Sequence, residues 1–117
     1  MLNMPNVFIV SNGGHDFSKA KKFGRLVFLS SGTLNKFHVT EMAREFAAIL
    51  SISSPEDYLV INGPTVMSCV ACAIMARKHG RLNLLLWKKG QNNSLDHYER
   101  RTVDVNSLLE APNATAT

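Results

Sequence analysis

Four short, largely apolar runs punctuate the chain at positions 7–10, 26–29, 58–61 and 82–87. Each is bounded by turn formers: Asn12-Gly13-Gly14 after the first, Ser30-Ser31-Gly32 after the second, Asn62-Gly63-Pro64 after the third. Unbroken apolar runs of this length, with no polar alternation, predict strands buried on both faces, as in a parallel sheet. A fifth stretch, 98–105, alternates polar and charged side chains. It predicts an exposed edge strand returning antiparallel from the fourth.

Between these runs the spacing changes to that of helices. Asp16 is placed to cap a short helix over 17–23, with Gly24 as its stop. Val39, Met42, Ala43, Phe46, Ala47 and Leu50 share one face of an amphipathic helix, and Glu41, Arg44 and Glu45 lie opposite. Pro64 suits the first position of a second helix, which Gly80 ends after Arg77, Lys78 and His79. That helix is apolar nearly all round through Met75, so it is expected in the middle of the protein. Alternating strands and helices of these lengths predict an α/β fold: a small Rossmann-like three-layer domain, with a mainly parallel sheet of about five strands and an antiparallel edge strand. The domain is expected over 1–109 and a flexible C-terminal tail over 110–117, which is small and polar.

Composition narrows the class without changing the fold. The 117 residues suit one core, and 45% hydrophobic and 19% charged residues are ordinary for a globular chain. The longest apolar stretch, 66–76, is too short to span a bilayer. The start carries no basic n-region and no h-region, so a cytoplasmic protein is expected, with no membrane partner. The net charge of +4 invites phosphate-bearing partners. Sequence-specific nucleic-acid binding is disfavoured, because neither basic and aromatic interleaving nor zinc-finger spacing is present.

The candidate chemistry lies in the loops after successive strands, which share the carboxyl edge of a parallel sheet, where ligands bind. The first supplies Asn12, Gly13, Gly14, His15 and Asp16, the second Ser30, Ser31, Gly32 and Thr33, the third Asn62, Gly63, Pro64 and Thr65. Glycine admits close backbone approach, and helix N-termini offer unpaired N–H groups to an anion. Each loop alone is ordinary turn chemistry; their coincidence suggests a phosphate or ribose cradle. Lys19, Lys22, Arg25 and Lys36 are the candidate phosphate contacts, beside their ordinary role as solvated surface charges. His15 reads as a ligand contact, or as the general base if the protein is an enzyme. Neither a dinucleotide fingerprint nor a Walker A motif occurs, and no cofactor is expected. Cys69 and Cys72 form a C-x-x-C that lies too far into the helix for a redox motif, and they read as two buried small residues. His79 and His97 do not extend them to a zinc site, so no metal is expected.

The run Ser11-Asn12-Gly13-Gly14-His15-Asp16-Phe17, with Arg77-Lys78-His79-Gly80-Arg81-Leu82-Asn83-Leu84-Leu85, resembles small α/β proteins of tailed phages and mobile elements. That group carries no established activity. The resemblance implies a setting in the host cytoplasm, where small phage proteins bind or degrade nucleotide second messengers of bacterial defence.

The first functional expectation is therefore a binding module for a phosphorylated or cyclic nucleotide, one that sequesters a defence second messenger without turnover. A chain this short offers a shallow site alone, so a homo-oligomer sharing the pocket is expected with it. The alternatives are a nucleotide phosphodiesterase or hydrolase using His15, and a protein–protein interaction module acting through the edge strand.

Overall fold

The computed structural model describes residues 4–30, 35–108 and 110. Ser31, Gly32 and Thr33 of the second loop, and 111–117 of the expected tail, lie outside the described residues. One sheet holds β1 (Asn6–Ile9), β2 (Arg25–Phe28), β3 (Tyr58–Val60), β4 (Arg81–Lys88) and β5 (His97–Asp104). Their spatial order is β2-β1-β3-β4-β5. The first four run parallel, and β5 runs antiparallel to β4 along a full eight-residue ladder from Arg81↔Asp104 to Lys88↔His97.

This is one of the common doubly wound orders, with its switch point between β1 and β3. The chain moves outward from β1 to β2, then back past β1 to β3 and β4. Crossovers of one hand therefore fall on opposite faces before and after the reversal. The β1–β2 connection carries a 3₁₀ segment, Ser18–Phe23, on one face. The next two crossovers carry α1 (Val39–Leu50) and α2 (Thr65–His79) on the other. Met42, Phe46 and Leu50 of α1 and Met67, Ala71 and Met75 of α2 enclose Phe8, Val10, Leu29 and Leu59. Each large apolar side chain fully buried there contributes about 2 kcal/mol of transfer free energy. On the opposite face Phe17 and Ala20, with the half-buried Phe23, cover Val7, Ile9, Val60 and Leu85, with Tyr98 beside them.

Several expectations change in detail. The helix expected over 17–23 is a 3₁₀ segment that starts at Ser18, because the Asp16 carboxylate takes the Ser18 N–H at 2.9 Å and tightens the turn. Val39 and Ala47 of the expected apolar face are exposed, since none of the described elements extends over the start and outer flank of α1. The expected edge strand begins at His97, and Val105 opens a short α3 (Val105–Leu108).

The larger correction concerns α2. It does not lie in the middle of the protein: with two elements on this face, it buries one side and leaves the other outward. Cys69 is exposed and Cys72 half-buried, so only Cys72 fits the buried-residue reading. Burial, with Cys69 close by, pushes the Cys72 thiol above its ordinary value. The cations that end α2 also have a different use. The Lys78 ammonium donates to the carbonyls of Leu50, Ser51 and Ser53 at 2.9, 2.8 and 3.2 Å, capping the C-terminus of α1 rather than its own helix. Gly80 ends α2 as expected, at φ +71° with its N–H on Ala76.

Candidate functional site

At the switch point the loops after β1 and β3 are tied together. The Asn62 carboxamide accepts from the Ser11 N–H at 3.0 Å and donates to the Ser11 carbonyl at 2.6 Å. Gly63 turns the chain at φ +75° directly against Ser11, where a Cβ would meet the Ser11 Cβ at 2.7 Å. The second loop joins through Asn12 N–H to the Ser30 carbonyl at 3.1 Å. The crevice between the β1 and β3 ends is thus closed by the protein's own groups.

The open space lies beside it, on the sheet face away from α1 and α2. A cleft of about 530 Å³ runs from the first loop across the ends of β3, β4 and β5. Its volume is that of a small-molecule site. Val60 and Leu85 form its floor, Trp87 and Tyr98 one wall, and His15, Asp16, Phe17 and Lys19 the other; Ile61, Asn62, Leu86 and Asp96 complete the lining. The antiparallel β5 explains the opening. A parallel fifth strand would require a crossover helix, whereas the direct return along 89–96 supplies none, so beyond the 3₁₀ segment this face has no described cover.

The aromatic walls are set by packing. Trp87 and Tyr98 occupy paired positions of the β4–β5 ladder, with ring centroids 4.9 Å apart, edge to face. Trp87 is 46% exposed and lines the cleft. Phe17 meets Phe28 at 5.7 Å and the His15 ring at 6.2 Å. Lys19 closes one end: its ammonium donates to the Asp96 carbonyl at 2.8 Å and lies 5.7 Å from the Trp87 ring centroid.

Charge inside the cleft favours donors over anions. The hydrogen bonds from Ser18, aided by Lys21 and Lys19, hold the Asp16 carboxyl below its ordinary range. Asp96 is the second carboxylate, with one oxygen on the Gly90 N–H at 2.8 Å. Burial, with the Asp16 charge added, raises the Tyr98 phenol and keeps it a hydrogen-bond donor. Lys19 is the single ammonium in the lining.

The structure gathers some of the sequence candidates and disperses others. His15, Asp16, Lys19 and Asn62 line the cleft; Asn12, Gly13, Gly14, Ser30, Gly63, Pro64 and Thr65 do not. The start of α2 belongs to the opposite sheet face, so its N–H groups do not open into this space. Arg25 sits at the other edge of the sheet, opposite Asn6 in register and bonded to the Asn6 side chain at 3.1 Å. Lys22 lies over Phe23, 5.1 Å from its centroid, and the Phe23 ring meets that of Tyr58 at the same amino edge. Lys36 lies over Phe37 before α1. No hydrogen bond from another described side chain orients the His15 ring. Among the described residues, no group of three His, Cys, Asp or Glu side chains converges as a metal site. Trp87, Tyr98, Phe17 and Asp96 were not among the sequence candidates. An antiparallel return that brings no crossover helix was the signal that could have exposed them.

Among the described residues no helix is long and apolar enough to cross a membrane. A family model described as Phage Pam3 gp32-like protein matches residues 5–103. Neither the curated proteins nor the solved structures contain a match.

Proposed function

The chain belongs to the Phage Pam3 gp32-like protein family, and within it we propose a binding module that captures a nucleotide by its base, without turnover. The observation that supports this reading is the aromatic cleft on the uncovered sheet face. Trp87, Tyr98 and Phe17 line one cleft of small-molecule volume, and base–aromatic stacking on such rings stabilises by about 1–3 kcal/mol. The Asp16 and Asp96 carboxylates accept from exocyclic amino groups, ring N–H groups or ribose hydroxyls, and they disfavour a phosphate at this end.

Binding is favoured over hydrolysis because His15 has an aromatic neighbour rather than an orienting carboxylate, and a general base needs such a partner. The edge-strand alternative has less support. Glu99, Arg100, Arg101 and Asp104 charge β5, and charged edges resist pairing with a further strand.

Trp87 is the chain's only tryptophan, so its fluorescence reads the cleft directly. Titration with nucleosides and nucleotides, paired with native mass spectrometry, tests the proposal. Saturable quenching with an adduct of unchanged ligand mass is expected, and its loss in Tyr98→Ala. A product of shifted mass, abolished by His15→Ala, would establish the enzyme instead. No quenching and no adduct with any of them overturns nucleotide binding. The same spectra report whether the protein self-associates.

A further inference from the structure

A second cleft, of about 480 Å³, opens on the sheet face that carries the aromatic cleft, at the amino edge. It is built on β3, β4 and β5, and its polar groups are fixed in place. Asn83 is buried, donates to the Pro55 and Asp57 carbonyls at 2.8 and 3.3 Å, and accepts from the Thr102 hydroxyl at 2.9 Å. Two arginines flank that saturated pair. Arg81 anchors its Nε on the Pro55 carbonyl at 2.8 Å, leaving both terminal nitrogens of the fork uncommitted within the described chain. Arg100 reaches the Tyr58 hydroxyl at 3.4 Å. Neither guanidinium is in an ion pair among the described residues, although Glu56 lines the cleft and Asp104 is the register partner of Arg81.

The two clefts have complementary charge. The aromatic one holds two carboxylates and one ammonium, and this one holds two guanidiniums and one carboxylate. They also share a line. Tyr98, Arg100 and Thr102 alternate on one face of β5, as do Trp87, Leu85, Asn83 and Arg81 on β4. Two residues of strand advance roughly 6.8 Å, so Arg100 stands one such step from Tyr98 and Asn83 two steps from Trp87.

We propose that the arginine cleft is the phosphate subsite of the same ligand, which is then a nucleoside di- or triphosphate laid along the β4–β5 ladder with its base at Trp87 and Tyr98. This rests on the base-binding reading above. A monophosphate would hold its charge near Asp16 and Asp96, where it is repelled. A longer chain carries the charge past the Leu85–Arg100 rung to two guanidiniums that are in no ion pair among the described residues, and whose geometry suits phosphate oxygens.

The test is calorimetric titration of the full chain with adenosine and guanosine, with their 5′ mono-, di- and triphosphates, and with inorganic pyrophosphate. Affinity is expected to fall from nucleoside to monophosphate, to rise above the nucleoside with di- and triphosphate, and for that rise to shrink with added salt. Arg100→Ala is expected to weaken di- and triphosphate binding, and Arg81→Ala, three steps from Trp87, triphosphate binding, each by about tenfold and with nucleoside affinity unchanged. Circular dichroism melts of both variants establish that they fold. Equal affinity for nucleoside and triphosphate, or a phosphate-dependent gain that survives both substitutions, overturns the subsite and leaves base binding intact. If pyrophosphate binds wild type but not Arg100→Ala while every nucleoside fails, the base reading and the ligand class both fall.

Discussion

Asn62 holds Ser11 by both of its backbone groups, through one acceptor and one donor of a single carboxamide. This bond pair spans the sheet's switch point and fixes the first loop, which carries His15 and Asp16 to the cleft. Asn62→Ala leaves a part-buried N–H and C=O without those partners and is expected to cost about 2 kcal/mol in urea unfolding. Asn62→Asp keeps the acceptor but turns a carboxylate oxygen on the Ser11 carbonyl, so it is expected to lose stability as well. An Asn62→Ala protein as stable as wild type would show that the loop is held otherwise.

Two glycines separate backbone strain from steric contact. Gly14 and Gly63 both adopt positive φ, +84° and +75°, but only Gly63 faces a neighbour where a Cβ would stand. Gly14→Ala is expected to cost about 1 kcal/mol, the conformational penalty alone. Gly63→Ala adds the clash with Ser11 and is expected to cost about 2–4 kcal/mol. Equal losses in parallel denaturation curves would contradict that contact.

Asp57 anchors the opposite edge of the sheet. It is 3% exposed, and its carboxylate receives the Asn6 N–H, the Asn6 side-chain amide and the Ser54 N–H at 2.8, 3.3 and 2.9 Å. Asp57→Ala strands these donors and is expected to destabilise by about 3 kcal/mol, with the start of β1 losing amide-exchange protection first. Protection of Val7 and Phe8 unchanged from wild type would count against this role.

His97 and Glu99 give the edge strand a pH dependence. The Leu95 carbonyl, then the Glu99 carboxylate, raise His97 above its ordinary 6.5. The same pairing, with Arg101, lowers Glu99 below its ordinary 4.5. The histidine's contribution is complete below 6.5 and is lost as pH rises through the raised folded value. The glutamate's is complete above 4.5 and is lost as pH falls through its lowered value. The pair is therefore at full strength between 4.5 and 6.5. By NMR titration the His97 midpoint is expected above 6.5 and is expected to move down in Glu99→Gln, which removes the carboxylate's share of the rise. A midpoint indifferent to Glu99→Gln would exclude the pair.

Sequence pattern made the fold legible because its strongest signals are local. Val7, Phe8 and Ile9 are buried on both faces, as an unbroken run requires, and Gly80 stops α2 where the pattern puts it. The direction of β5 was legible too, from alternation and a short turn-rich connection. The place of α2 was not. An all-round apolar helix reads as central, but whether a further layer covers Cys69 depends on how many elements share the face. The site was half legible for a related reason. Loop composition marks the carboxyl edge of a sheet but not its faces, so the sequence candidates include His15, Asp16, Lys19 and Asn62 of the cleft lining but not Trp87 and Tyr98. Arg25 was grouped with Lys19 by proximity in sequence, although one strand start separates the two edges.

The hairpin that replaces a crossover helix also shapes how a ligand would arrive. The floor of the aromatic cleft is strand, its Trp87–Tyr98 wall is pinned by a continuous ladder, and none of the described segments must move aside to admit a ring. Association of the proposed ligand at such a surface would be one bimolecular step, with an observed rate that rises linearly with concentration and no plateau from a slow opening. Discrimination among ligands of the proposed class would then fall to residence time: competitors would arrive at similar rates and differ in how long they stay.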